Sequence, residues 1–190
     1  MAEPPPPTPT PASPAPVSGE PHASRALALL LGAIGIAAAT LLWHGIIPLI
    51  PADPGWPSMA TRLGAASVAL LPTAAALWLM IVAQMGGRML AGAIDPVRQP
   101  DTHFLRTNQR AISNTVEQML VFAPALLALS AGAPATAMPQ VVALALTFAA
   151  ARIIFWLGYL ARPLLRAPGM AATFATTSIT LGSAIWVWLT

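Results

Sequence analysis

The chain has no cysteine and no lysine, and only 8% of its 190 residues are charged. Each shortage removes a class of function. Without cysteine there are no disulfides, no thiolate metal sites and no cysteine nucleophile, so any sulfur chemistry must arrive with a substrate. Without lysine, all nine cations are arginine, whose guanidinium stays charged at any physiological pH. The formal net charge is +3 and the pI about 11.1, but apolar runs separate the arginines and aromatics make up only 6%. That leaves neither a basic face to track phosphates nor a stacking ladder for bases, so nucleic-acid binding is set aside. The three histidines, His22, His44 and His103, lie far apart without metal-ligand spacing, and no metal is expected.

What the chain has in abundance is apolar sequence. A hydrophobic share of 56% and a mean hydropathy of +0.70 describe a membrane protein, because soluble domains carry about a quarter charged residues. Residues 1–24 hold nine prolines and no core-forming pattern, which predicts a polyproline II or disordered tail. Residues 25–190 form the membrane domain. Five apolar stretches follow the tail: Ala26–Ile50, Leu63–Met85, Ala111–Ala131, Val141–Ala161 and Met170–Leu189. Each is close to the ~20 residues that cross a bilayer as a helix. The first could also be read as a signal-peptide core, since it follows Arg25 and contains Ala37-Ala38-Ala39. Its length and the long, proline-rich, base-poor segment before it favour an uncleaved helix.

Arginine placement orients the bundle. The second connection carries Arg88, Arg98, Arg106 and Arg110, the fourth Arg162 and Arg166, and the third none. The positive-inside rule puts the second and fourth connections in the cytoplasm, the N-terminus inside and the C-terminus outside. Trp43, Trp56, Trp186 and Trp188 then fall near the far interface, as an aromatic belt. The lack of lysine beside abundant alanine, proline and arginine suggests a GC-rich bacterial source and a plasma-membrane location. His103 is expected in the cytoplasmic loop.

Ionisable residues within membrane segments mark functional sites by default, because their burial is costly. In the third stretch Arg110, Asn114 and Glu117 stand at i, i+4 and i+7, one helix face over roughly 10 Å. In the fourth, Arg152, Tyr159 and Arg166 are spaced by seven. Both stripes lie toward the cytoplasmic ends and are expected to converge in one pocket. A structural alternative is an ion pair between Glu117 and Arg152 that fixes helix packing, with Asn114 as an interhelical hydrogen bond. Against it stands the surplus of arginines around one glutamate, which calls for an anionic ligand.

The segment RAISNTVE followed by QMLVFAPALLAL resembles the R-A-x-x-N-x-x-E-x-x-x-x-F signature of the MAPEG superfamily, the membrane-associated proteins of eicosanoid and glutathione metabolism. ARIIFWLGYLARPLLR resembles that family's R-x-x-[YF]-x-x-G-Y segment, with an arginine seven beyond the tyrosine. The resemblance covers about Leu63 to Leu189. It implies an all-α, four-helix transmembrane bundle, here with one extra N-terminal helix, that assembles as a homotrimer and binds glutathione between protomers. It further implies that Arg110 and Asn114 hold the peptide's backbone and carboxylate and that Glu117 takes its ammonium. Tyr159 would line the peptide, Arg152 and Arg88 would join the binding set, and Arg166 would face the thiol. Gln118 and Phe155 stand where some members have tyrosines. The implied activity is a glutathione-dependent transferase or peroxidase acting on a lipophilic second substrate drawn from membrane lipid. A non-catalytic lipid-binding or partner-binding member on the same scaffold is the alternative. A small transporter is a third reading, disfavoured because duplicated broken helices are absent.

Overall fold

The computed structural model describes residues 21–51, 55–92 and 100–190. The tail up to residue 20 and Arg98 lie outside these. Six α-helices occupy most of the described chain: α1 (Pro21–Ile46), α2 (Met59–Ala69), α3 (Leu71–Leu90), α4 (His103–Gly132), α5 (Met138–Ala161) and α6 (Ala167–Leu189). No strand occurs among the described residues. Helices α2 and α3 run on from each other, so the described residues hold five segments long and apolar enough to span a membrane, as the hydropathy predicts. The break falls at Leu70, just before Pro72, which has no N–H to give to the preceding turn.

The exposed surface confirms what the composition implies. Leu29, Leu41 and Leu120 are each more than 70% exposed, a pattern that suits lipid and not water. The chain is an integral membrane protein with an all-helical bundle.

Local signals set the ends. Ser58 and Thr61 form a reciprocal capping box at α2. Thr102 caps α4, its hydroxyl accepting from the Leu105 amide at 3.3 Å. Helix α4 therefore starts eight residues earlier than the apolar pattern predicts, because a capped polar turn extends it beyond the bilayer core. His103, expected in a loop, is its first residue. At the other end of α4, Arg62 donates from Nε to the Ser130 carbonyl and from Nη2 to the Ala131 carbonyl, both at 3.1 Å. A guanidinium thus meets the negative end of that helix.

The core centres on Phe122 of α4 and Phe148 of α5, stacked with centroids 3.9 Å apart, among Leu126, Leu144 and Ala66. Helix α6 packs against α4 and α5, and α1 packs on α6 and α5. Two glycines permit the closest approaches. A Cβ at Gly35 of α1 would collide with the Pro168 backbone, and one at Gly169 with the backbone of Phe155. A buried polar clasp joins α3, α4 and α5. Asn108 donates to the Met80 carbonyl and to Gln84 Oε1, both at 2.9 Å, and accepts from Trp156 Nε1 at 2.7 Å.

Candidate functional site

Three helices and one turn meet at the end of the bundle that carries the arginines. Helix α4 brings Arg110, Asn114 and Glu117 to one side, along with Gln109 and Ser113. Helix α5 brings Phe155 and Tyr159, the turn before α6 brings Arg166, and α6 adds Met170. Together they line an open cavity of about 520 Å³, within the range of small-ligand sites.

Arg166 reaches this cavity by a route that helix periodicity does not describe. Helix α5 ends at Ala161, and Arg162 is extended, with φ −155° and ψ 142°. Pro163–Arg166 then form a 3-10 turn. The seven-residue spacing from Tyr159 is consequently not two turns of one helix. The reversal lays the Arg166 guanidinium over the Tyr159 ring, 4.8 Å from its centroid. Gly158 makes that reversal possible, since a Cβ there would strike the Leu165 carbonyl.

Arg152 is fully buried. Its Nη2 donates to Asn114 Oδ1 at 3.1 Å and to Thr115 Oγ1 at 2.7 Å, and its guanidinium lies 4.1 Å from the Phe155 ring centroid. The Glu117–Arg152 ion pair considered from the sequence does not form within the protomer. Arg152 is tied instead to the amide and hydroxyl of α4. Its Nε and Nη1 are buried without a hydrogen-bond partner among the described residues. Glu117 itself is exposed.

Arg88 is placed elsewhere. It pairs with Asp101 at 3.0 Å, the one ion pair among the described residues, and does not line the cavity. Arg106 donates to the Asp101 carbonyl at 2.7 Å. No group of three or more metal-ligating side chains occurs among the described residues. Sequence reasoning missed Gln109, Ser113 and Met170. The first two share the face of Arg110 and Asn114 and were findable by helical spacing; Met170 was not, since only the turn after α5 brings α6 there.

A membrane bundle with a cation-rich polar cavity at one end is the class of protein that these features define. The sequence model of the MAPEG family matches residues 63–186, about two-thirds of the chain, and the chain belongs to that family. The match takes in α3 to α5, most of α2 and nearly all of α6, leaving α1 outside. No curated protein and no solved structure gives a match.

Proposed function

We propose that the protein is a glutathione-dependent transferase or peroxidase that acts on lipophilic electrophiles or lipid hydroperoxides. The observation that supports this most is the cavity itself, where Arg110, Asn114, Glu117, Tyr159 and Arg166 converge beside the incompletely bonded Arg152. Glutathione carries two carboxylates, one ammonium and one thiol. The Arg110 guanidinium and the Asn114 amide suit the carboxylates and peptide, Glu117 suits the ammonium, and Tyr159 gives the peptide an aromatic wall.

Arg166 takes the catalytic role. A free thiol of this type has a pKa of ~8.5, so only a few per cent is ionised near neutrality. A guanidinium beside the sulfur favours the thiolate. Among the cavity-lining residues, Glu117 is occupied by the ammonium, so the activation rests on electrostatic stabilisation by Arg166 and on proximity to a substrate held in the bilayer.

The same reading makes the protein a homotrimer in a bacterial plasma membrane, with its N-terminus in the cytoplasm. An exposed carboxylate on a membrane helix is costly, and a neighbouring copy laid over Glu117 would enclose it. Arg88 enters the site, on this reading, from a neighbouring protomer. Calorimetric titration of the purified protein with glutathione is the test: saturable binding is expected, abolished in Arg110→Ala. A folded wild-type trimer that takes up no glutathione at millimolar concentration would overturn the proposal in favour of a non-catalytic lipid-binding or partner-binding role.

A further inference from the structure

A second cavity shares a wall with the first. It is an apolar groove of about 610 Å³ between α1 and α6, lined on α1 by Ala28, Gly32 and Ala33 beside the larger Leu29 and Ile36, and on α6 by Ala171 and Phe174. Arg166 and Met170 belong to both linings, and Arg166 is the only charged residue of the groove. Ile36 lies eight residues beyond Ala28 on α1, so the groove is about 12 Å long.

We infer that this groove holds the alkyl chain of the second substrate, a straight-chain electrophile whose reacting end lies at Arg166. The inference rests on the glutathione-dependent reading above and adds the substrate class and the element that selects it. Three features carry it. The groove meets the polar cavity at the side chain to which the thiolate is assigned, so a chain lying in it is aimed at the sulfur. At its floor α1 and α6 touch: a Cβ on Gly32 would stand 3.4 Å from the Ala171 Cβ, in ordinary van der Waals contact, so a longer side chain at position 32 would have to enter the groove. And one wall is α1, which lies outside the family match, so the selection belongs to this chain.

The groove cannot act through hydrophobic transfer, because lipid tails are as apolar as its walls. It acts by orientation, where a displacement of about 1 Å can cost ~100-fold in rate. A long-chain 2-alkenal illustrates the chemistry. The thiolate sulfur forms a bond to the β-carbon, and the carbon–carbon π pair shifts to leave an enolate on the carbonyl oxygen. A proton from water then ends on the α-carbon, replacing the one the thiol gave to solvent. The cation of Arg166 stabilises both the thiolate and, after addition, the enolate.

The test compares kcat/KM for dodec-2-enal and but-2-enal in nanodiscs. Wild type should prefer the long substrate. Gly32→Phe, which fills the groove, should lower the ratio of the two at least ~10-fold. Leu30→Phe, an exposed α1 position that lines neither cavity, should keep it. A fatty aldehyde with a terminal diazirine supplies a readout that needs no turnover. Its photocrosslinks should map to Ala28–Ile36 and Ala167–Phe174 and vanish in Gly32→Phe. An unchanged substrate ratio in Gly32→Phe, or crosslinks spread over the lipid-facing residues of all five spans, would overturn the groove. Loss of glutathione binding in wild type with localised crosslinks would overturn the glutathione reading and leave the groove in place.

Discussion

The sharpest consequence of the site geometry concerns two arginines four residues apart. Arg166 stacks on Tyr159 at the cavity wall, while Arg162 is exposed at the extended residue that ends α5 and lines neither the polar cavity nor the groove. Replacing Arg166 by alanine removes a positive charge beside the place assigned to the sulfur. At ~5 Å, two unit charges interact by about 3.3 kcal/mol at an effective dielectric of ~20 and by about 0.8 kcal/mol in water. These limits correspond to ~2.4 and ~0.6 pKa units. The cavity is open and Arg166 is exposed, so solvent screens the pair and a value near one unit is expected. The sign follows from the charge. A cation favours the thiolate and lowers the thiol pKa, so Arg166→Ala should raise the pKa of bound glutathione by about one unit. The rate–pH profile should move to higher pH by the same amount, while glutathione affinity changes less. Arg162→Ala should move neither. The assay is a pH titration of thiolate absorbance with glutathione bound. Equal shifts in both variants would reduce the effect to a diffuse positive field, and a shift only in Arg162→Ala would put the catalytic role on the wrong side of the turn.

Further outcomes follow from the same structure. Glu117→Gln should weaken glutathione binding by about 2–3 kcal/mol while leaving the assembly intact; a variant whose trimer dissociates with affinity unchanged would make Glu117 a packing residue. Asn108→Leu strips Trp156 Nε1 and Gln84 Oε1 of their partner and should destabilise the bundle by about 1–3 kcal/mol in detergent-unfolding titrations; an unchanged midpoint would refute the clasp. Native mass spectrometry from mild detergent should show three chains, and a monomer that still binds glutathione would contradict a site shared between protomers. Orientation can be read with single cysteines, since the chain has none. Ser130 is buried, so exposed Thr136 and His103 are the useful reporters. Impermeant label should reach only position 136 in intact cells, and labelling at 103 alone would invert the topology.

The five spans were legible because each is a long apolar run, a signal that needs no tertiary context. The end of α5 was legible because its apolar run stops at Arg162. At α4 the Thr102 cap and a polar first turn carried the helix on, which hydropathy cannot see. The α4 side of the site was legible for a similar reason: Arg110, Asn114 and Glu117 follow one helix face. On the α5 side, periodicity pointed to Arg166 by the wrong geometry, since Pro163 and the extended Arg162 replace the helix with a reversal that no spacing rule encodes. The clasp of Gln84, Asn108 and Trp156 was invisible because its members lie on three helices, and each alone reads as an ordinary polar or interfacial residue. The groove shared by α1 and α6 was hidden likewise, as small residues announce a space only when the opposite wall is known.

Buried Arg152 also bears on biogenesis. An arginine near the middle of a helix opposes insertion by about 2.5–3.5 kcal/mol, and α5 is otherwise apolar, with a mean hydropathy of 2.0 over its most apolar window. The groups that receive its guanidinium, Asn114 and Thr115, are on α4, which leaves the ribosome first. Synthesis order therefore delivers the acceptor helix to the membrane before the charge that needs it, and α5 can enter the bilayer against a partner already waiting. Reversing that order by circular permutation would send the arginine into lipid alone.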